Sequence, residues 1–342
     1  MKNFAARLIR WQRTHGRSGL PWQGSRDPYR IWLSEIMLQQ TQVAAVIPYY
    51  ERFLARFPSV EALAAAGEDD VLRLWSGLGY YARARNLLAA ARVIGAAGRF
   101  PATAAAIAEL PGVGRSTAAA IAVFAFGERA PILDGNVKRV LARAFAVAGW
   151  PGRPDVERVL WARAQRLLPR RGVEVYTQAL MDLGATVCTR ARPACARCPI
   201  RSGCAARAQG RVGELPAPRP RKRLPLKRST WLVLRRGDAV LLEKRPSPGL
   251  WGGLWTFPEA RATDVSAYCK SRFGCEILTV RALAGLQHAF THFRLRVRPL
   301  LCEVKRHPGL PLDGDRTWLP LADARAAAVP VPVRALMERL RP

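Results

Sequence analysis

The stretch from Gln209 to Arg228 divides this chain into two parts that cannot share one architecture. Pro216, Pro218, Pro220 and Pro225 stand in it beside Arg219, Arg221, Lys222, Arg223, Lys227 and Arg228. With no apolar period, it reads as an extended, charged linker over 209–228. Before it, to about residue 187, the text is rich in Ala and Leu. Apolar side chains recur there near a 3.6-residue spacing with short Gly and Pro breaks, which predicts helices and no strand. Beyond it the period becomes two. Residues 230–235 and 239–243 flank Gly237-Asp238 as a hairpin, and 293–297 alternates again. The expectation is an all-α body over 1–208 and a mixed α/β domain over 229–342. A chain of 342 residues is long enough for each to bury a core.

Charge narrows the partner. Fifty-five Lys plus Arg against 25 Asp plus Glu leave a formal +30, an excess that suits a polyanion, nucleic acid first. An acidic membrane surface would also attract it, but no apolar run approaches a membrane span and the start of the chain lacks a cleavable signal. A soluble, intracellular protein is expected. Of seven cysteines, Cys188, Cys195, Cys198 and Cys204 are crowded as C-x6-C-x2-C-x5-C. That spacing fits metal binding in a reducing compartment better than a disulfide framework. It leaves tetrahedral zinc and an iron–sulfur cluster equally open. Arg190, Arg192, Arg197 and Arg201 make the same loop strongly positive.

Residues 31–47 read as one helix, with Trp32, Ile36, Val43 and Ile47 on its apolar face. Glu35 borders that face, and Leu38, Gln39 and Gln42 follow it at i+3, i+4 and i+7. A carboxyl so placed is partly desolvated, which raises its pKa and suits it to donate a proton near neutral pH. The ordinary alternative is a solvated glutamate at a helix edge. In Leu110-Pro111-Gly112-Val113-Gly114-Arg115-Ser116, Gly112 and Gly114 let the backbone turn tightly and leave amides free to hold a phosphate at the next helix start. A plain helix connection fits the same letters. Asp134, in Leu133-Asp134-Gly135-Asn136-Val137, opens a further helix, where an N-cap is its default role.

These signatures occur in order, joined by Gly77-Leu78-Gly79-Tyr80-Tyr81-Ala82-Arg83. Together they resemble the MutY-type adenine DNA glycosylases of the helix-hairpin-helix superfamily over nearly the whole chain. The resemblance implies an all-α helix-hairpin-helix glycosylase body whose cysteine loop (188–204) holds a [4Fe-4S] cluster. It also implies a C-terminal α/β Nudix-like domain that recognises 8-oxoguanine. The implied activity is excision of adenine mispaired with 8-oxoguanine or guanine in double-stranded DNA. By resemblance Glu35 protonates adenine and handles the water, Asp134 faces the anomeric carbon, and Asn136 helps to orient the site. Gln40 and Tyr80 intrude into the duplex, while Gln178 and Ser116 lie near the base pocket. A lysine stands at the Ser116 position in bifunctional relatives resembling endonuclease III, so a hydroxyl there implies a monofunctional enzyme. The expected setting is a monomer in a bacterial cytosol, associated with the nucleoid.

The chemistry asks for the same residue types independently. Breaking a purine N-glycosidic bond needs an acid for the departing base and a negative charge for an oxocarbenium-like sugar, hence two carboxyls in different surroundings. In the second domain, Gly249 to Pro258 resembles a Nudix fold, but the Glu-rich metal helix of catalytic Nudix hydrolases is missing, which weakens a pyrophosphatase reading. The family's Phe-Ser-His recognition loop reads Phe290-Thr291-His292 here. The rivals are a thymine glycosylase of the same superfamily and a DNA-binding module without catalysis. The second requires a missing carboxylate, and both are present.

Overall fold

The computed structural model describes residues 3–220, 223–247, 249–260, 264–305 and 314–340. The chain forms two compact units, Met1–Ala65 with Asn86–Arg221, and Ala66–Arg85 with Lys222–Pro342. The helices in order are α1 (Phe4–His15), α2 (Pro28–Leu38), α3 (Val43–Arg56), α4 (Val60–Ala64), α5 (Glu68–Trp75), α6 (Ala82–Ala97), α7 (Ala104–Ala108), α8 (Arg115–Phe126), α9 (Gly135–Ala144), α10 (Pro154–Leu167), α11 (Val173–Asp182) and α12 (Ala205–Ala208). Among the described residues none is long and apolar enough to cross a membrane.

The first unit is helical throughout its described residues. Its core gathers Phe4, Leu8 and Trp11 of α1, Ala119, Ala120 and Val123 of α8, Val137, Val140 and Leu141 of α9, and Tyr176, Ala179 and Leu180 of α11. Helix α8 is buried on nearly every side, as its Ala-rich text requires. The α7–α8 connection is tight because Gly112 takes φ +77°, and a Cβ there would lie 2.7 Å from Cβ of Asn86. Gly114 then caps α8 in extended conformation and leaves its first amides open.

One expectation fails here. The helix read over 31–47 is two helices, interrupted at 39–42 where Gln40 adopts a left-handed φ of +57°. Neither Gly nor Pro marks the break. Trp32, Ile36 and Met37 of α2 and Val46, Tyr50 and Phe53 of α3 are all buried. A straight helix could not bury both sets at the same site, so Gln42 does not continue the Glu35 strip.

The second unit contains an eight-stranded sheet: β1 (Leu226–Arg236), β2 (Ala239–Lys244), β3 (Trp255–Thr256), β4 (Glu259–Ala260), β5 (Ile277–Ala282), β6 (Leu286–Ala289), β7 (Arg294–Val304) and β8 (Arg316–Pro320). Besides α5, its helices are α13 (Val265–Phe273), α14 (Leu321–Ala326) and α15 (Val331–Arg339). The main order is β3-β2-β1-β7-β5, with β1 and β7 parallel and β1 and β2 forming the expected hairpin. Strand β1 begins inside the stretch read as linker. Leu226, Lys227 and Arg228 pair with Arg294, Leu295 and Arg296. That segment is extended as read, but its hydrogen-bonding partner lies some seventy residues away, where a local pattern gives no warning. Helix α13, Val-Ser-Ala-Tyr-Cys-Lys-Ser-Arg-Phe, carries no acid.

Candidate active site

A cleft of about 1500 Å³ in the first unit is lined by Glu35, Gln39, Gln40 and Gln42 from the α2–α3 region, by Gly114, Ser116 and Thr117 at the start of α8, by Asp134 and Asn136 at the start of α9, and by Gln178 of α11. Its wall also includes Gln12, Arg17, Trp22 and Arg139. The fold thus brings together residues about 100 positions apart that the sequence singled out singly. No lysine is among the residues lining it.

Burial pushes the Glu35 carboxyl up to about 8, and the charge of Asp134 adds to the rise. Asp134 is the N-cap of α9. One carboxylate oxygen accepts from the Val137 N–H at 2.7 Å and the other from the Asn136 amide at 3.3 Å. Burial raises Asp134 too, but Val137, Arg139 and Asn136 all act in the opposite direction. Its capping and cleft-lining roles therefore coexist. The same donors that cap the helix favour the ionised form, whereas Glu35 has no comparable donor among the causes of its shift.

Several supports were not legible in sequence. Ser116 Oγ accepts from the Leu133 N–H at 2.8 Å and so holds the turn that presents Asp134. Asp182 is completely buried and carries an ion pair with Arg17 at 2.7 Å. It also accepts from Gln12 and Gln178, both at 2.8 Å. Gln178 is thus oriented from behind rather than left to point freely. In sequence, the one sign of this support is an acid four residues after Gln178, within helical reach of it. Arg139 donates to Asn136 Oδ1 at 2.8 Å, to the Gly184 carbonyl at 2.6 Å and to the Cys188 carbonyl at 2.7 Å. A Cβ on Gly184 would fall 2.6 Å from Cβ of Asn136, so only glycine permits this approach. Gly184 lies in a π-helical turn, Leu183–Val187, which leads directly to Cys188.

Cys188, Cys195, Cys198 and Cys204 are free thiols around a second, small cavity, together with Val140, Arg143, Ile200 and Arg207. Among the described residues no group of three or more His, Cys, Asp or Glu side chains is placed to hold a metal ion. The four cysteines line the small cavity. Arg143 is 3% exposed and has no acidic partner among the described ion pairs. It donates to Cys188 Sγ at 3.4 Å and to the carbonyls of Thr189, Arg190 and Leu215. A buried cation whose donors meet sulfur and carbonyls fits an anionic thiolate group at this place.

Tyr80 lies in the second unit, 48% exposed and left-handed at φ +50°. Its turn is fixed by bonds within that unit. Ser76 donates to the Val329 carbonyl and accepts from Arg334, and Lys244 pairs with Asp69. Gln40 and Tyr80 are thus both exposed and left-handed without being glycine, a conformation that costs roughly 1–2 kcal/mol. Phe290, Thr291 and His292 form the turn between β6 and β7. Phe290 packs on His288 and Phe293, both at 4.5 Å between centroids, and on Trp251 at 5.4 Å. Thr291 Oγ1 is 3.4 Å from His292 Nδ1, and both side chains are exposed.

The family model for the HhH-GPD superfamily of base excision DNA repair proteins matches residues 33–166, and that for the NUDIX domain matches 230–339. An adenine DNA glycosylase of Buchnera aphidicola (strain Bp) is 34% identical, covering 99% of this chain and 97% of its own length. The rat protein of that name is 34% identical over 95% of this chain and 75% of its own. A thermostable thymine-DNA glycosylase structure aligns with TM-score 0.54 at 29% identity, over 61% of this chain and 96% of that one. An endonuclease III–DNA complex aligns with TM-score 0.51 at 20% identity over 60% of this chain and 94% of that one, a likeness of fold.

The raised pKa of Glu35 has a measurable consequence for stability. Between the ordinary value of 4.5 and about 8 the folded state holds a proton that the unfolded state releases. Glu35 therefore costs nothing at low pH, and its cost grows as pH rises through that window. Relative to wild type, Glu35→Gln is expected to gain on the order of 2 kcal/mol more at pH 8 than at pH 5 in urea denaturation. A difference independent of pH would show that the carboxyl is already ionised in the folded protein.

Proposed function

Since this chain belongs to the adenine DNA glycosylase family, we propose that it removes adenine mispaired with 8-oxoguanine or guanine from double-stranded DNA. It does so by hydrolysing the N-glycosidic bond and leaves an abasic site. The observation that carries the reading is the pair of unlike carboxyls on one cleft: Glu35 with its proton retained to about pH 8, and Asp134 surrounded by donors.

Adenine leaves poorly as an anion. Protonated Glu35 gives its proton to a ring nitrogen as the bond to C1′ breaks and its electron pair moves onto the base. Ionised Asp134 balances the positive charge that develops on the sugar. Water then adds to C1′ and its proton passes to the Glu35 carboxylate, which restores the acid. Asn136 and Arg139 hold Asp134 in place, and Gln178, steadied by Asp182, borders the base. The base must first leave the stack. Gln40 and Tyr80, on strained turns, are the residues proposed to enter the duplex, and the amides after Gly112 and Gly114 to grip its backbone. Ser116 spends its hydroxyl on the Leu133 N–H and the cleft is lined by no lysine, which supports hydrolysis without a Schiff base.

Cys188, Cys195, Cys198 and Cys204 are proposed to hold a [4Fe-4S] cluster, with Arg143 compensating its negative charge. Once bound, the cluster would cross-link the basic loop that carries Arg190, Arg192, Arg197 and Arg201. The Phe290-Thr291-His292 turn is proposed to inspect the opposite base. Thymine excision is the weaker alternative. The likeness to the thymine enzyme covers 61% of the chain, whereas the adenine relative spans 99%, the second unit included.

Glu35→Gln should retain binding to the mispair yet lose roughly 100-fold or more in single-turnover excision of adenine opposite 8-oxoguanine. The wild-type rate should fall as pH rises through about 8, where the acid is deprotonated. Near-normal excision by the variant would remove Glu35 from the role. Alanine at both Thr291 and His292 in the full chain should lower the preference for 8-oxoguanine over guanine by roughly 10-fold, since each good polar contact to a base is worth about 1–3 kcal/mol. An unchanged ratio would leave the turn without this task. The protein as isolated should be yellow-brown with about four irons per chain, and stoichiometric zinc without visible absorbance would exclude the cluster.

A further inference from the structure

The first half of β7 has one face in the core and one in solvent. Leu295 and Val297 point inward, while Arg294, Arg296 and Arg298 alternate with them and are exposed. Parallel pairing with β1 sets exposed Arg228 directly beside Arg296, and Thr230 beside Arg298. On the other flank, β6 contributes Gln287 opposite Arg296 and Ala289 opposite Arg294. The result is a ladder of guanidiniums with no acid in register with any of them. Among the described residues, none of the four arginines forms an ion pair.

This is not a shortage of carboxylates in the unit. Glu243 pairs with Arg272 and Arg316, Glu259 with Arg245, Glu276 with Lys305 and Glu303 with Arg235. Arg235 and Glu303, with the same strands and the same register, pair seven residues along from Arg228 and Arg296, on the other face of the sheet. Like charges opposite one another in a sheet are destabilising, so the Arg228–Arg296 pairing costs the free protein stability. A bound polyanion would reverse that sign.

We propose that this face of β7 and β1 is a phosphate track for the DNA strand whose base is presented to the Phe290-Thr291-His292 turn. Alternate residues on a strand stand about 6.7 Å apart, a spacing close to that between successive phosphates of a strand. The guanidinium fork fits phosphate oxygens in pairs. Arg294 lies two residues after His292, so the track starts where the inspected base would sit. The assignment rests on the reading of the protein as a duplex-binding glycosylase. It goes beyond that reading by naming the sheet face, and by making its contacts ones to backbone rather than to base.

The test is Arg294→Gln, Arg296→Gln and Arg298→Gln combined in the full chain, with the three Arg→Lys changes as a parallel variant. Affinity for duplexes holding adenine opposite 8-oxoguanine, opposite guanine, and fully paired would be measured from 50 to 200 mM salt. Each lost phosphate contact flattens the slope of log K against log salt by about 0.9, so the Gln variant should flatten it by about 2 to 3. Affinity should drop at low salt by a similar factor for all three duplexes, because phosphate contacts carry no sequence information. The Lys variant should keep most of the slope, and the Gln variant should unfold at the same or a higher temperature than wild type. An unchanged slope in a folded Gln variant would make the face a merely solvated one. A loss confined to the 8-oxoguanine duplex would make these arginines base readers, and either result overturns the track. If instead the wild-type protein showed no preference among the duplexes, the reading of mispairs with 8-oxoguanine or guanine would fail, while the slope would still decide the role of this face.

Discussion

Helix α9 ties the cleft to the cysteine loop, and two guanidiniums on it do most of the tying. Its N-cap is Asp134, its first turn carries Asn136, and Arg139 one turn later reaches the carbonyls of Gly184 and Cys188. Arg143, a further turn on, meets Cys188 Sγ, the Thr189 and Arg190 carbonyls of the loop and the Leu215 carbonyl beyond it. Burying a guanidinium without a carboxylate is costly unless every donor is used. That requirement forces the loop to curl around α9 with its carbonyls inward. The cysteines are thereby gathered about one cavity, and the Asp134 turn is held against the π-helical turn Leu183–Val187 through the Asn136–Gly184 contact. Arg139 touches both sites, through Asn136 and through the Cys188 carbonyl, whereas Arg143 serves the cysteine loop.

The cleft itself is assembled against local preference. Glu35 sits where burial opposes its charge, Gln40 holds a backbone conformation that side chains rarely adopt, and Asp182 is the buried carboxylate of α11. Each departure costs free energy on its own, and strain and perturbed groups concentrate at working sites. The compensation comes from the dense packing of α1, α8, α9 and α11 around it. Ala-rich α8 allows those helices to approach closely, and the Arg17 and Gln12 donors neutralise Asp182 in the same layer.

In the second unit the acids and bases are sorted rather than mixed. Glu303 is matched to Arg235 at one end of the β1–β7 pair, and arginines stand alone at the other. Helix α13, where a Nudix hydrolase would carry its metal-binding glutamates, offers Ser, Tyr, Lys and Arg instead. A Nudix-like sheet is therefore kept while the acidic side chains of that helix are not.

Much was legible without coordinates. The change of period at the Pro-rich stretch separated helical from sheet text, because amphipathic spacing is a property of the local backbone. Glu35, Asp134 and the four cysteines stood out because their chemical types break an apolar or Ala-rich background. The break at residues 39–42, the early start of β1, and the inclusion of 66–85 in the second unit were not legible. The sequence around Gln40 is ordinary helical text, and only the need to bury α2 and α3 on separate faces ends the helix there. Likewise Arg139, Arg143 and Arg17 are indistinguishable in sequence from the many arginines that face water. Their partners are carbonyls and a carboxylate between about 45 and 165 positions away. Composition set the total positive charge, but which arginines are buried and bonded, and which stand exposed without an acid in register, was settled by strand register and helix packing, since both join residues that no local pattern relates.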